Sequence, residues 1–424
     1  MPAIGGPPET VEESLSPSTA NIRPRYRWVI LALSFMAQLS NATAAQAVAP
    51  LAPIFQPELG LSKTQVGFFS SAAFAGAWAV LLVAGSLTDR VGVRTMMTLG
   101  QIATGLLVLC MSLVGTFLQA VLVMFAAGLG RGATGPGVTK AVVDWFPPTS
   151  RATAMGVNQA AIPVAGILTA SILPTLGLLV GWRYAIAAVA ALVLAGGLAT
   201  AFLYREVPRD SAAQKAEMGS SLKMVMRTRR LWIISAMGPL VTGVQFAVIT
   251  YLALYLKEVV LVPEVPEERA RIVAAGALLA VGYAGSVLAR MLWGMVSDRL
   301  FHGRRMAVLA LIAFLSLVIS VVMSQLEAGL PLASLAAVVF LMGATAMGGQ
   351  ALYLAAAAET VGPKYAATAV GLCMTWMQLG FVGVTPLFGV VLDLTGSYQA
   401  AWLYLAALSA VTAMVAAAIA RQES

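Results

Sequence analysis

Two arginines, Arg131 and Arg290, lie well inside long apolar stretches of the sequence. A charged side chain at the centre of a bilayer costs about 2.5–3.5 kcal/mol on insertion scales, so such residues usually face a bundle interior, a partner or a water-filled cavity. No Asp or Glu lies in the middle of an apolar stretch, which leaves both guanidinium groups without a carboxylate at their own depth. An anionic ligand is the natural counter-ion, because a planar guanidinium offers a carboxylate two parallel hydrogen bonds.

Each arginine also has a structural interpretation: a structural or coupling role for Arg131, and interhelical hydrogen bonding for Arg290. On a helix, Tyr283 and Ser286 share one face with Arg290 at spacings i, i+3 and i+7. These two hydroxyls and the guanidinium predict a carboxylate pocket, and packing of the same face against a neighbouring helix is the alternative.

Further polar side chains within apolar stretches are candidates for substrate binding, namely Asn41, Gln245, Tyr353 and Gln378. Candidates of lower rank are Gln38, Asn158, Gln159, Tyr251, Gln350 and Trp376. Amides and hydroxyls also join helices within membranes, at about 0.6 kcal/mol each, so each of these residues is as well explained by helix packing as by ligand contact.

The sequence contains no arrangement typical of an enzyme, a metal centre or a cofactor site. Cys110 and Cys373 lie in apolar stretches, and the single histidine, His302, lies in a polar turn beside Arg304 and Arg305. No paired carboxylates, histidine cluster or nucleophile with an adjacent base can be identified. We therefore expect no catalytic residue, no metal and no cofactor.

The elements that must position the two arginines follow from the composition. The chain has 424 residues, of which 59% are hydrophobic and only 10% are charged, and its mean hydropathy is +0.86. Soluble globular proteins are about 45–50% apolar and about 25% charged, so this composition indicates a protein that crosses the lipid bilayer many times. The formal net charge of +8 is explained by basic loops, and we expect no nucleic-acid partner.

A membrane-spanning helix needs about 20 mostly apolar residues, and the hydropathy predicts twelve such helices. They cover residues 28–55, 64–88, 94–116, 118–142, 151–178, 182–204, 231–257, 271–297, 305–325, 332–358, 364–391 and 399–420. The predicted fold class is therefore an all-α membrane protein with two six-helix bundles, 26–204 and 231–421. A cytoplasmic linker, 205–230, separates the bundles, and residues 1–25 are predicted to form a disordered cytoplasmic tail.

The loops on the two sides of the predicted bundles differ in charge. Most basic loop residues lie on the side of the amino terminus, among them Arg90, Arg94, Lys140, Arg299, Arg304, Arg305 and Arg421. By the positive-inside rule, both termini are expected in the cytoplasm, and the protein in the cytoplasmic (inner) membrane. No basic segment followed by an apolar run opens the chain, so no signal peptide is predicted.

A repeated motif supports the division into halves. Residues 85–94 read Gly-Ser-Leu-Thr-Asp-Arg-Val-Gly-Val-Arg after the second span, and residues 294–299 read Gly-Met-Val-Ser-Asp-Arg after the eighth. We interpret the charged residues of the two copies as a gate, in which carboxylates and guanidinium groups pair across the two halves when the cytoplasmic side is closed. These gate residues are Asp89, Arg90, Arg94, Asp298 and Arg299.

These residues make the chain similar to the major facilitator superfamily. Gly85–Arg94 matches the superfamily motif G-x-L-x-D-R-x-G-x-R, and the degraded copy at Gly294–Arg305 lies where the superfamily has its second copy. Arg131 resembles the arginine of the fourth-helix motif. The resemblance implies two pseudo-symmetric bundles around a cavity lined by the first, fourth, seventh and tenth spans. The chain further resembles organic-anion carriers, namely anion:cation symporters, oxalate/formate exchangers and monocarboxylate transporters. Arg290 lies where the oxalate/formate and monocarboxylate groups have a substrate-binding arginine.

The expected function is secondary transport of a small organic anion, a mono- or dicarboxylate, by alternating access. Proton symport and anion exchange both remain open as coupling modes, and the lipid bilayer, the anion and, in symport, protons are the expected partners of a monomer. The alternative is a proton-driven drug or metabolite efflux antiporter, which the lack of a membrane-embedded carboxylate disfavours.

Overall fold

The computed structural model describes residues 26–206, 226–262, 265–326, 329–361 and 366–422. Among these residues there is no β-strand, and twelve helical segments are long and apolar enough to cross a membrane. The predicted all-α fold with twelve membrane-crossing helices is therefore confirmed. The predicted disordered tail and most of the predicted linker lie outside the described residues.

We number the crossing helices α1 to α12. The first half contains α1 (Tyr26–Gln46 and Val48–Glu58), α2 (Lys63–Val91), α3 (Val93–Met111), α4 (Phe117–Trp145), α5 (Pro148–Val180) and α6 (Trp182–Leu203). The second half contains α7 (Arg229–Tyr255), α8 (Glu268–Arg299), α9 (Arg305–Ser324), α10 (Leu332–Ala346 and Gln350–Val361), α11 (Ala366–Leu379 and Thr385–Thr395) and α12 (Tyr398–Arg421).

Three of the helices are interrupted near the middle of the membrane. Helix α1 breaks at Ala47, α10 breaks between Ala346 and Gln350, and α11 contains a π-helical turn at Gly380–Val384. A proline follows two of the breaks, Pro50 in α1 and Pro386 in α11, and proline cannot donate a backbone hydrogen bond. Such interruptions are tolerated at membrane depth where they lie inside the protein or line a cavity.

Glycines bring α2 and α4 into direct backbone contact. A Cβ at Gly128 would overlap the carbonyl oxygen of Ala73, and a Cβ at Gly76 would overlap the carbonyl oxygen of Phe125. Small residues permit this close approach of helices, which van der Waals packing then stabilises within the membrane. The contact places the α4 residue Arg131 directly beside the backbone of α2.

The two halves meet on one side of the membrane. We call the side on which Tyr26 and Gln422 lie the terminal side, and the other the opposite side. A large apolar cluster on the opposite side combines residues of both halves, such as Phe69 and Tyr251. On the terminal side, by contrast, one cluster contains only first-half residues and another only second-half residues. The structure is therefore closed on the opposite side and divided on the terminal side.

Polar contacts reinforce the closed side. The carboxylate of Asp393, at the end of α11, accepts hydrogen bonds from the backbone N–H groups of Lys63 (3.0 Å) and Thr64 (2.8 Å) and from the Thr64 hydroxyl (2.6 Å) at the start of α2. The Lys63 ammonium forms an ion pair with Glu258, and the Tyr251 hydroxyl donates to the Lys63 carbonyl at 2.8 Å. The start of α2 is thus bound to the second half at several points.

Two predicted gate residues on the terminal side bind within their own halves. The Arg94 guanidinium donates through Nε to the carbonyl of Ala201 at 2.9 Å, and Asp298 forms an ion pair with Arg305 at 2.5 Å. Neither contact crosses between the halves in this conformation.

The other predicted gate residues add no described contact between the halves. Arg90 and Arg299 are exposed, and the side chain of Asp89 lies outside the described residues. Pairing of the gate residues across the halves stays a prediction, which concerns the conformation closed on the terminal side.

Candidate functional site

A cavity of about 260 Å³ lies between the halves and is lined by residues from the middle of several spanning helices. Its polar lining comes from both halves, and the residues concerned are Gln38, Asn41, Gln46, Arg131, Gln245, Gln350 and Gln378. Three aromatic residues, Phe74, Phe246 and Phe381, also line it. Ligand pockets usually measure about 300–1,000 Å³, so this cavity fits a small organic molecule.

Arg131 is the one charged residue among the described residues that line the cavity. Its Nη2 donates to the carbonyl of Ala73 at 3.2 Å, and its guanidinium carbon lies 4.3 Å from the centroid of the Phe74 ring. The Arg131 Nε is buried without a hydrogen-bond partner, and within the described part of the chain no ion pair to this arginine is found. The cavity therefore has a positive potential that its described lining leaves uncompensated.

Carboxamides make up the rest of the polar lining, three from each half. The Gln46 amide donates to the carbonyl of Ile162 at 3.0 Å, whereas the buried Asn41 Oδ1 has no hydrogen-bond partner. A carboxamide has two N–H donors and a carbonyl acceptor, so it can donate a hydrogen bond to a hydroxyl group or accept one from it. The arrangement suits a ligand with one anionic group and further uncharged polar groups.

Three phenylalanines close the cavity towards the opposite side. The ring centroid of Phe74, from the first half, lies 4.5 Å from those of Phe246 and Phe381, which lie 4.1 Å from each other. The Ser71 hydroxyl, one turn before Phe74, donates to the Phe381 carbonyl at 2.8 Å. We call Phe74, Phe246 and Phe381 the aromatic seal.

Four of the residues predicted to bind substrate lie together at the cavity: Arg131, Asn41, Gln245 and Gln378. Two amides that ranked lower in the sequence, Gln38 and Gln350, also line it. Sequence reasoning missed Gln46 and the aromatic seal. The helix breaks were a usable signal, because Gln46, Gln350 and Phe381 each lie beside one.

The structure places three other predicted residues in helix packing. The Tyr353 hydroxyl donates to the carbonyl of Ile234 at 3.1 Å, and Ser286 donates to the carbonyl of Met347 at 3.1 Å. Tyr283 is buried against Gly166 where α8 meets α5, and a Cβ at that glycine would overlap the ring. These placements correspond to the packing alternatives of the sequence analysis.

Arg290 lies on α8, outside the residues that line the cavity, and its Nε is buried without a hydrogen-bond partner. The structure thus separates the two arginines that look alike in sequence. A substrate-binding role for Arg290 stays a prediction.

Two six-helix halves that enclose a central cavity, closed on one side of the membrane and divided on the other, are the architecture of a membrane transporter. Comparison with known families makes this assignment specific. The sequence profile described as "Major Facilitator Superfamily" matches residues 34–382 and 260–424, so the chain belongs to this superfamily. It is thus a member of a transporter family and not an enzyme.

Individual proteins are also similar to this chain. The probable sulfoacetate transporter SauU of Cupriavidus necator is 25% identical over 223 residues, which cover 49% of this chain and about half (52%) of that transporter. The probable galactarate/D-glucarate transporter GudP of Bacillus subtilis is 24% identical over 92% of this chain and 91% of its own length. Among solved structures, a bacterial homologue of the human lysosomal transporter Spinster has a TM-score of 0.71 at 18% identity, and the match covers 93% of this chain and 96% of that one.

Proposed function

We propose that the protein is a secondary transporter that moves a small hydroxylated monocarboxylate across the cytoplasmic membrane. The observation that carries this proposal is the placement of Arg131 at the cavity without a carboxylate partner among the described residues. Arg131 is the proposed anchor for the carboxylate, because its unpartnered Nε and the adjacent Nη groups form a fork that matches two carboxylate oxygens.

The number of charges in the cavity favours one carboxylate over two. A dicarboxylate would leave its second charge in a buried site whose other described polar groups are amides, and an unpaired buried charge is costly. The same amides favour a substrate with hydroxyl groups, because they can exchange hydrogen bonds with water for hydrogen bonds with the substrate. An entirely apolar acid would leave the amides unpaired.

Three of the six amides, Gln245, Gln350 and Gln378, belong to the second half, whereas Arg131 belongs to the first. We infer that the carboxylate binds the first half and the hydroxyl groups bind the second. A substrate held by both halves is the arrangement that alternating access requires, since the halves move about it. The names of the relatives, which include a sulfoacetate and a galactarate/D-glucarate transporter, agree with an organic anion as substrate.

The same lining limits the ways in which a proton could take part in transport. No titratable side chain other than Arg131 lies among the described residues of the cavity wall. A proton that accompanies the anion would therefore have to neutralise the substrate itself, and exchange of one anion for another needs no proton. The efflux-antiporter alternative receives no support, because a cationic drug would meet the Arg131 charge and no carboxylate among the described residues of the cavity wall.

The test is a thermal-stability screen of the purified protein. The ligand panel contains D-gluconate, D-galacturonate, D-glucarate, propionate, D-glucose and a cationic dye. We expect the hydroxylated monocarboxylates to raise the melting temperature most, and Arg131→Gln to remove that response. Stabilisation by the dye or by glucose alone would overturn the proposal.

Arg290→Gln is the matched control, because it removes a second guanidinium, with a buried Nε, that lies outside the residues lining the cavity. A retained response to carboxylates would assign substrate binding to Arg131 alone, and a lost response would confirm the binding role of Arg290 predicted from the sequence. Arg131→Lys tests the geometry separately from the charge: we expect a weaker response than in the unmodified protein, because an ammonium lacks the planar fork. An Arg131→Gln variant that folds and responds like the unmodified protein would also refute the assignment.

A further inference from the structure

One ring, that of Phe74, contacts both the proposed anion anchor and the closed side of the transporter. Its face lies against the Arg131 guanidinium, and the ring also contacts the two second-half members of the aromatic seal. The adjacent carbonyl, that of Ala73, accepts a hydrogen bond from the same guanidinium. Arg131 therefore fixes the segment of α2 that carries the first-half side of the seal.

The attraction between Arg131 and Phe74 depends on the free charge of the guanidinium. A cation over an aromatic face is held by the negative charge density of the ring, and the attraction is strongest where water is excluded. A carboxylate that binds the guanidinium by two charge-assisted hydrogen bonds neutralises much of that charge and competes for the same donors. Binding of an anion thus weakens the contact that holds Phe74 in place.

We propose that Phe74 is a coupling residue: it keeps the opposite side closed while the cavity is empty and is released when an anion binds Arg131. This inference rests on the proposed function, since it takes Arg131 as the anion anchor. A transporter that stays closed on the opposite side while empty can change to the conformation open on that side only when it carries an anion. The device therefore favours exchange of anions over net flux.

The inference is tested without any ligand, because Arg131→Gln removes the same charge that an anion would neutralise. Spin labels are placed at Leu113→Cys in the first half and Leu332→Cys in the second, in a Cys110→Ser background with Cys373 left in place because it is buried. Both labelled positions lie on the opposite side and are exposed, at 83% and 61%. Pulsed dipolar spectroscopy in lipid nanodiscs then gives the ratio of long to short distances, which reports opening.

We expect Phe74→Leu and Arg131→Gln each to raise this ratio about threefold to thirtyfold. The double variant should open less than the product of the two single effects predicts, because both changes break the contact between the guanidinium and the Phe74 ring. Asp393→Ala is the control: it breaks a contact of the closed side that shares no partner with the guanidinium or with the aromatic seal. Its effect should add to that of Arg131→Gln, as expected for independent contacts.

An unchanged distance ratio in Arg131→Gln would overturn the inference, and so would additive effects of Arg131→Gln and Phe74→Leu. The proposed function is judged by the thermal screen and not by this ratio. Loss of the carboxylate response in Arg131→Gln with no opening would refute only the role of Phe74. A thermal screen without any carboxylate response would instead refute the proposed function, and with it the release of Phe74 by an anion.

Discussion

Replacing Asp393 by Ala is expected to open the opposite side of the transporter. The Asp393 carboxylate belongs to the second half and accepts three hydrogen bonds at the start of α2 in the first half: from Lys63 N (3.0 Å), Thr64 N (2.8 Å) and Thr64 Oγ1 (2.6 Å). Backbone N–H groups in the first turn of a helix have no acceptor within the helix. Asp393 therefore caps a helix of the other half.

The size of the effect follows from this geometry. Hydrogen bonds to a charged acceptor contribute about 1.5–3 kcal/mol each when buried. Asp393 is exposed, so the appropriate comparison is the loss of a helix cap, which costs about 0.5–2 kcal/mol. We therefore expect the loss of the three hydrogen bonds to destabilise the closed conformation by about 1–2 kcal/mol in total. The ratio of open to closed molecules should then rise about fivefold to thirtyfold.

The assay combines the label pair at Leu113 and Leu332 with amide hydrogen exchange. In Asp393→Ala, the long-distance population should grow, and the amides of Lys63 and Thr64 should exchange faster by a similar factor. The matched control is Glu206→Ala. The Glu206 carboxylate caps the start of α3 and accepts hydrogen bonds from the N–H groups of Val93 (2.5 Å) and Arg94 (3.0 Å), so this cap joins the first half to the residues just after α6 and involves no residue of the second half.

Glu206→Ala should accelerate exchange at the start of α3 and leave the distance distribution unchanged. The reasoning is wrong if Asp393→Ala leaves both the distances and the exchange at the start of α2 as they were. It is also wrong if the control opens the opposite side as much as Asp393→Ala does.

Three further predictions concern the site and its support. Gly128→Ala should destabilise the protein by about 1–3 kcal/mol in thermal unfolding, because its Cβ would overlap the Ala73 carbonyl. The control is Gly135→Ala, whose Cβ meets nothing within 4 Å, and this variant should unfold like the unmodified protein. Tyr353→Phe should keep the response to carboxylates in the thermal screen and lower the free energy of unfolding by only about 0.5–1.5 kcal/mol. A lost response would show that the Tyr353 hydroxyl binds substrate, as the sequence predicted. In isothermal titration, Gln378→Ala should weaken the binding of D-gluconate about threefold to tenfold and leave the binding of propionate unchanged. An equal loss of affinity for both acids would contradict the proposed role of the amides.

Depth within the membrane could be predicted from the sequence for every candidate residue. Hydropathy alone places Arg131 and Arg290 far from the bilayer surfaces, because an apolar span of given length must lie within the hydrocarbon. Hydropathy also predicts the twelve spans, and the motif at residues 85–94 with its second copy predicts the two halves and the superfamily. Each of these features is written in a continuous stretch of the chain.

The direction that a side chain faces at that depth could not be predicted in this way. Arg131 and Arg290 both lie within apolar spans, yet of the two only Arg131 lies among the described residues that line the cavity. The Tyr353 hydroxyl, predicted to meet substrate, instead binds a carbonyl 119 residues away. The rotation of each helix about its axis depends on contacts with residues remote in the chain, and a sequence pattern does not encode which of several apolar faces they will cover.

The sequence by itself determined the class of the protein, the membrane depth of its charges and the absence of a carboxylate from the middle of any span. Only the tertiary structure decided which arginine lies at the cavity, which amides join it and which side of the membrane is closed. The close contact of α2 with α4 at Gly128 turns Arg131 towards Phe74, and the binding of Asp393 to the start of α2 holds the halves together on the opposite side. Both contacts join segments that are distant in sequence, and their energies depend on distances that exist only once the helices have packed.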